Sequence, residues 1–191
     1  MTSSKKALST KVSFASLTQN NLGTVRKLNS VLFPIKYSEK FYSEILLPEV
    51  EDFCKLSVCQ YILSRLPEKP IALAVYYNDI PVGTICCRIE TKDSINHLYL
   101  LTMGVLAPYR SLGIGSYTLD VILRAAATHT KPKIGRIYLH VQVSNDSAKQ
   151  FYERHGFRES GIDEGYYKKI TPSGAWVLER DIQPLESEQQ D

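Results

Sequence analysis

The sequence predicts a mixed α/β domain built around a largely antiparallel sheet. Three observations predict it. Apolar residues recur every three to four positions between Leu22 and Leu66, and from Ile71 onward they alternate with a period of two. The stretch Arg110-Ser-Leu-Gly113-Ile-Gly115 lies after a strand pattern and before a helix pattern. The strong strand Arg136–Val143 leads directly into a short capped helix, so strands and helices alternate in the second half.

Each element has its own local reason. Lys11–Leu17 alternates Val12 and Phe14 with polar residues, which suggests a first strand. Thr18-Gln-Asn-Asn offers N-caps for a helix carrying Leu22, Val25, Leu28 and Leu32, and Pro34 ends it. Ser38 can cap a second helix with Phe41, Tyr42, Ile45 and Leu46. A third helical pattern carries Leu56, Cys59, Leu63 and Leu66, and Pro67 and Pro70 close it. Ile71–Tyr77 and Val82–Glu90 read as strands around the turn Asn78-Asp79, and His97–Leu106 as the next strand. A loop from Ala107 leads into a helix from about Ser116 to His129. In Arg136–Val143 one face holds Ile137, Leu139, Val141 and Val143. Asn145 caps a helix bearing Ala148, Phe151 and Tyr152, with Gly156 as its C′ residue. Tyr166–Ile170 and Ala175–Arg180 are the expected last two strands.

Composition narrows the function. The 191 residues are 43% hydrophobic and 23% charged, the balance of one folded domain, and no internal repeat or long linker divides them. The expected domain spans 1–191 with a core at about 12–183; residues 1–10 and Pro184–Asp191 read as disordered ends. A net charge of +3 is far below that of a dedicated nucleic-acid binder. Cys54, Cys59, Cys86 and Cys87 form no C-x-x-C pair, so neither a zinc site nor a disulfide framework is expected, and no metal. No secretory signal and no membrane span is visible, which points to the cytoplasm, with the nucleus also open.

The glycine loop carries the sharpest chemical signal. A loop that opens a helix aims backbone N–H groups and the positive dipole end at one point, and glycines let a diphosphate come close. Arg110 can add a charge-assisted bond. A plain glycine turn before a helix would look similar. No lysine follows as in a P-loop, and no third glycine follows as in a dinucleotide fold. Downstream stands Asn145-x-x-Ala148-x-x-Phe151-Tyr152-x-x-x-Gly156-Phe157. In this order and context the two motifs resemble the acetyl-CoA signature of the GNAT superfamily of acetyltransferases. Further stretches are similar to the NatE-type catalytic subunits among protein N-terminal acetyltransferases. They are Phe33-Pro-Ile-Lys-Tyr37, Tyr76–Gly83, Leu106–Arg110, Ile137–Asn145 and Tyr166-Tyr-Lys-Lys169, and the likeness covers roughly 12–183. Two departures stand out: Ser111 sits where relatives usually carry a second arginine, and about 50–70 looks like a local insertion.

The resemblance implies a GNAT fold, with a mixed, mostly antiparallel sheet, splayed strands and flanking helices. It implies direct acetyl transfer from acetyl-CoA in a ternary complex. The cofactor would lie along Leu101, Met103, Gly104, Val105, Arg110, Ser111, Leu112, Gly113, Ile114, Gly115, Asn145 and Tyr152. Tyr99 and His140 match the pair that takes the amine proton through water; taken alone, each reads as ordinary strand packing. Tyr99 would need a lowered pKa to be a base, or would act by orienting water. Tyr152 could protonate the departing thiolate or simply pack beside Phe151, and Asn145 could bond pantetheine or only cap its helix. Phe33, Pro34, Ile35, Tyr37, Tyr99, Tyr166, Tyr167 and Ile170 would hold a peptide beginning with Met and a bulky apolar second residue. The implied partners are peptide or nascent-chain N-termini, the NatA scaffold and catalytic subunits and, through them, the ribosome. Three other readings compete: a lysine side-chain acetyltransferase, a weakly active acetyl-CoA-binding subunit of a larger complex, and, most remotely, a nucleic-acid module.

Overall fold

The computed structural model describes Leu8 and residues 10–46, 71–92, 94–129 and 132–183. The expected third helix, the 50–70 insertion and most of both expected disordered ends lie outside these residues. The elements in order are β1 (Val12–Ser16), α1 (Leu22–Leu32), α2 (Glu39–Ile45), β2 (Ile71–Tyr77), β3 (Ile80–Lys92), β4 (Ile95–Val105), a 3₁₀ turn (Ala107–Tyr109), α3 (Ile114–Thr128), β5 (Ile134–Gln142), α4 (Asp146–Arg154), β6 (Arg158–Asp163) and β7 (Ala175–Asp181).

The strands form one sheet in the order β1-β2-β3-β4-β5-β7-β6. β4 and β5 run parallel, and every other neighbouring pair is antiparallel. Asn78 and Asp79 hold φ of 47° and 63°, the left-handed pair of a tight hairpin, as the predicted turn requires.

Helices cover both faces of the sheet. On one face, α3 buries Ile114, Leu119, Ile122, Ala125 and Ala126 against Leu98, Leu100, Ile137 and Leu139. Each large aliphatic side chain buried there contributes about 1.5–3 kcal/mol, so Leu119→Asp would break this face. On the other face, α1 and α2 bury Val25, Tyr42 and Ile45 with Ala74 and Cys86. Cys86 belongs to one cluster and its neighbour Cys87 to the other, as period-two alternation demands; both side chains are buried.

One expected strand is displaced. Tyr166–Ile170 is a loop, and the strand lies earlier, at Arg158–Asp163. β6 occupies the edge of β7, pairing Ile162 with Trp176 and Gly161 with Val177, so the aromatic residues downstream find no strand partner there. β6 is largely exposed and shows no apolar alternation, which hid it from a period-based reading. α3 also begins two residues earlier than predicted, at Ile114.

Candidate active site

The site begins with a failure of strand pairing. β4 and β5 pair from Asn96↔Ile134 as far as Leu100↔Leu139, and there the register ends. Both strands continue, β4 to Val105 and β5 to Gln142. A register shift lies on the other side of β4. Cys86 pairs with Thr102 and Cys87 with Leu100, leaving Leu101 unopposed as a bulge. A bulge bends its strand, and this one lies where the pairing of β4 with β5 ends. Among the described residues, Leu101–Val105 therefore present a backbone edge with no strand on the β5 side. β5 beyond Leu139 keeps β7, through His140↔Val177 and Val141↔Trp176.

The gap opens a cleft of about 1250 Å³. At one end lies the glycine loop. Ser111 and Gly113 both hold left-handed φ, 62° and 82°. A serine in that region is strained, and such strain gathers at ligand sites. Gly113 is the N-cap of α3 and gives no side-chain cap, so the first-turn N–H groups of α3 receive none from it. This is a concave set of donors at a positive dipole end, suited to a diphosphate. Arg110 lines the cleft and its Nε donates to the Val105 carbonyl at 3.0 Å. Across the cleft Phe151 of α4 lies 3.7 Å from where a Cβ on Gly115 would stand.

Leu101, Met103, Gly104, Val105, Arg110, Ser111, Gly113, Gly115, Asn145 and Tyr152 all line this cleft. Leu112 and Ile114 do not: Leu112 points to solvent and Ile114 is buried in the core. What they can offer a cofactor is backbone N–H. Asn145 caps α4, accepting from Ala148 N–H at 3.2 Å, so its capping role and its place on the cleft coexist. Tyr152 is 8% exposed, packs its ring against Phe151 and Phe157, and also reaches the cleft wall.

Around the splay point sits a cluster of aromatic and charged side chains. Arg88, Tyr99 and Tyr138 are register partners across β3, β4 and β5. Tyr99 stacks on Tyr138 at 4.7 Å, and the Arg88 guanidinium lies over the Tyr99 ring at 5.4 Å. The Tyr99 hydroxyl meets His140 Nδ1 at 3.1 Å and is also hydrogen-bonded to the Tyr166 hydroxyl. The His140 ring stacks on Tyr166 at 4.0 Å, and Tyr167 packs edge-on against Tyr166.

Burial sets the proton chemistry. Removal from water pulls the His140 pKa below its ordinary value; Asp163 opposes this and Lys92 adds to it. His140 is therefore a neutral imidazole at neutral pH, able to accept a proton. Burial, reinforced by Tyr166, pushes the Tyr99 hydroxyl well above its ordinary value. Tyr99 keeps its proton, so of its two expected roles burial disfavours the base and leaves the orienting of water. Tyr167 is raised to about 12 and Tyr152 is raised further, in both cases mainly by burial.

The far wall is apolar. Phe33, Pro34, Ile35 and Tyr37 line the cleft from the loop between α1 and α2, with Tyr166, Tyr167 and Ile170 opposite. Phe33 meets Tyr37 edge-on at 5.9 Å, and Tyr37 stacks on Phe41 at 4.4 Å. Arg88, Glu90, Lys92, Tyr138 and Phe41 also line the cleft, and the sequence reading assigned them no site role. A signal existed: Arg88, Glu90 and Lys92 are charges at every second position of an otherwise apolar strand. Arg88 Nε donates to Glu90 at 2.6 Å, and Tyr138 donates to the same carboxylate.

Residues 25–157 match the acetyltransferase (GNAT) family. N-alpha-acetyltransferase 50 of Danio rerio is 36% identical over 172 residues, 90% of this chain and 89% of that protein. A probable N-acetyltransferase of Drosophila melanogaster, san, is 36% identical over 171 residues, 90% of this chain and 81% of that protein. The solved structure of Arabidopsis thaliana Naa50, in complex with the bisubstrate analogue CoA-Ac-MVNAL, superposes with a TM-score of 0.69. It is 34% identical, over 89% of this chain and 98% of that one. Arabidopsis NAA60, 18% identical with a TM-score of 0.68, shares the fold. The splayed strands, the glycine loop and these likenesses agree: the chain belongs to the GNAT family of acetyltransferases, alongside the N-alpha-acetyltransferase 50 proteins.

Proposed function

We propose that this chain transfers the acetyl group of acetyl-CoA to the α-amine of protein N-termini, preferring a retained Met followed by a bulky apolar residue. The observation that carries the reading is one continuous cleft. It joins a diphosphate-sized loop, an unpaired strand edge, a neutral histidine and an apolar wall.

Acetyl-CoA supplies the acyl group as a thioester. The fit rests on Ser111, Gly113 and Arg110 for the diphosphate and on the free edge of Leu101–Val105 for the extended arm. Those N–H groups of β4 that point away from β3 can bond the thioester oxygen as it gains charge, the usual route to a large rate gain. The amine nitrogen attacks the thioester carbon, the carbon–sulfur bond breaks, and sulfur leaves as thiolate. His140 takes the amine proton through water held by Tyr99. Tyr152, which keeps its proton, can give a hydrogen bond to the thiolate.

Amine acidity favours the α-amine. At pH 7.5 about a third of an α-amine is neutral, against about one in a thousand lysine side chains. A site with one shielded neutral base suits the former. We further propose that the protein works in the cytoplasm with the NatA scaffold and catalytic subunits at the ribosome, a reading supported only by likeness to the NatE type; co-sedimentation with ribosomes tests it. The central test is turnover of N-terminal peptides by the purified chain, with acetylated positions read by mass spectrometry. Products acetylated on internal lysines alone would sink the reading, and binding of acetyl-CoA without turnover would move the chain to a supporting subunit.

A further inference from the structure

α1 is held against the sheet by a buried polar contact that the chemistry described so far does not use. Asn29 is 3% exposed and Thr84 of β3 is 4% exposed. The Thr84 hydroxyl donates to Asn29 Oδ1 at 2.8 Å, across 55 residues of sequence. The Asn29 amide reaches the Tyr42 hydroxyl of α2 at 3.5 Å, a long contact. The rest of the buried stripe of α1 is Val25 and Leu28, with Leu22 partly buried. Aliphatic contacts tolerate small rotations and slides of a helix; a buried hydrogen bond does not, because moving off it strands two polar groups in the interior.

The same residue governs the start of the apolar wall. The Asn29 carbonyl accepts from Phe33 N–H at 3.0 Å, closing the last turn of α1 and setting where the chain leaves it. Thr84 pairs in register with Gly104, in the stretch of β4 whose opposite edge has parted from β5. A Cβ added to Gly104 would lie 3.2 Å from Phe33 Cζ and 3.2 Å from Leu32 Cδ1. The contacts therefore form a ring: Asn29 to Thr84, Thr84 to Gly104, Gly104 to Phe33, and Phe33 back to Asn29. It links the strand that would carry the thioester to the first side chain of the peptide pocket.

We propose that the Asn29–Thr84 hydrogen bond is a positioning device that fixes Phe33 over Gly104, and so sets peptide affinity and first-residue selectivity without touching substrate. This rests on the proposed N-terminal acetyltransferase activity. It predicts a split in the kinetics. Loss of the bond lets the wall shift, which weakens peptide binding while the glycine loop and the His140–Tyr99 pair stay in place.

The test compares Thr84→Val, near-isosteric but without the hydroxyl, with Thr84→Ser, which keeps it. Peptide KM, kcat, acetyl-CoA Kd and Tm are measured, with Met-Leu and Ala-Ala peptides as the selectivity pair. Thr84→Val should raise KM for the Met-Leu peptide about tenfold and shrink the Met-Leu over Ala-Ala ratio, the scale of one lost buried hydrogen bond. kcat and acetyl-CoA Kd should stay within about threefold, a third of that tenfold effect. Thr84→Ser should restore KM and selectivity. Asn29→Leu should behave as Thr84→Val, and should the Asn29 variant fail to fold, the threonine pair decides alone. An unchanged KM and ratio in Thr84→Val overturns the proposal, whatever happens to Tm. So does a matching loss in acetyl-CoA affinity, which marks general loosening, or a KM in Thr84→Ser as high as in Thr84→Val. Failure of the underlying reading looks different: the unaltered chain would acetylate no N-terminal peptide.

Discussion

Tyr99 and His140 lie on parallel neighbouring strands on either side of the point where those strands part. Tyr99 faces Tyr138 within the paired segment, and His140 follows one residue past the last pair, Leu100↔Leu139. Their hydroxyl and Nδ1 meet at 3.1 Å. The fork that opens the cleft thus also sets the distance between the two groups proposed to handle the amine proton.

Tyr99→Phe keeps the ring stacked on Tyr138 and removes only the hydroxyl. His140→Ala removes the acceptor. Each should slow acetylation by roughly 10²–10⁴-fold, the usual weight of a general base. Because the two share one hydrogen bond, the double variant should lose less than the product of the single losses. Acetyl-CoA Kd should barely move, since neither residue is near the glycine loop in sequence or register. A near-normal rate in either folded single variant would return that residue to plain packing.

The histidine also predicts a pH response. Its folded pKa is depressed, so the unfolded chain binds the proton more readily than the folded one. Its contribution to stability is full above the unfolded value of about 6.5 and is lost as pH falls from there through the folded value. For activity the working form is neutral, so the acid limb of kcat should lie below about 6.5. Between about pH 7 and 8 the rise in kcat/KM should follow the substrate amine instead. A kcat limb above pH 7 that vanishes in His140→Ala would contradict the assignment.

Gly113 tests the glycine loop. It holds φ of 82° at the head of α3, and a Cβ there would lie 3.3 Å from Leu8 Cδ2. Valine is strained in that conformation and would crowd the backbone that a diphosphate must approach. Acetyl-CoA at a hundred times its Kd should stabilise the unaltered protein by about 2.7 kcal/mol, visible as a rise in Tm. Gly113→Val should lose the rise. A full rise in a folded Gly113→Val protein would place the diphosphate elsewhere.

Much of this was legible in the sequence, for definite reasons. Ile137, Leu139 and Val141 alternate strictly, so β5 and the opposite-facing His140 could be placed at once. The glycines before α3 and the Asn145 cap announce themselves by residue type. β6 did not, because an exposed edge strand built from Arg-Glu-Ser-Gly-Ile-Asp needs no apolar period. The parting of β4 from β5 was supplied by family likeness and not by pattern, and the bulge at Leu101 was not foreseen at all, since a bulge is a register event between two strands. The polar Asn29 on the buried stripe of α1 was passed over because its partner, Thr84, is far away in the chain.

The apolar wall should decide which amine is chosen. The wall of Phe33, Pro34, Ile35 and Tyr37 is apolar, and its aromatic members brace one another. A pocket of this kind gains about 0.8 kcal/mol per buried methylene-sized group. Met in place of Ala should therefore gain on the order of 2 kcal/mol, or roughly thirtyfold. An acidic second residue should fare worse than leucine, because it must shed water without a waiting cation. Lys36, the nearest candidate by sequence, is exposed and does not line the cleft. Arg88 does line it but is bonded to Glu90, and Lys92 donates to the Tyr138 hydroxyl at 3.2 Å. An acidic side chain would have to compete with Glu90 for the first or displace the second. Tyr166 and Tyr167 are amphipathic and can hold peptide backbone without choosing among first residues. The measurement is kcat/KM for Met-Leu, Met-Glu, Ser-Glu and Ala-Ala peptides of equal length, beside an internal-lysine peptide with a blocked N-terminus. Met-Leu should lead, and Phe33→Ala should erode its lead more than it weakens acetyl-CoA binding. Faster turnover of the Ser-Glu or lysine peptide than of Met-Leu would overturn the pocket assignment. An equal loss of peptide and cofactor binding in Phe33→Ala would make Phe33 a packing residue of the α1–β4 contact, because its ring also covers Gly104.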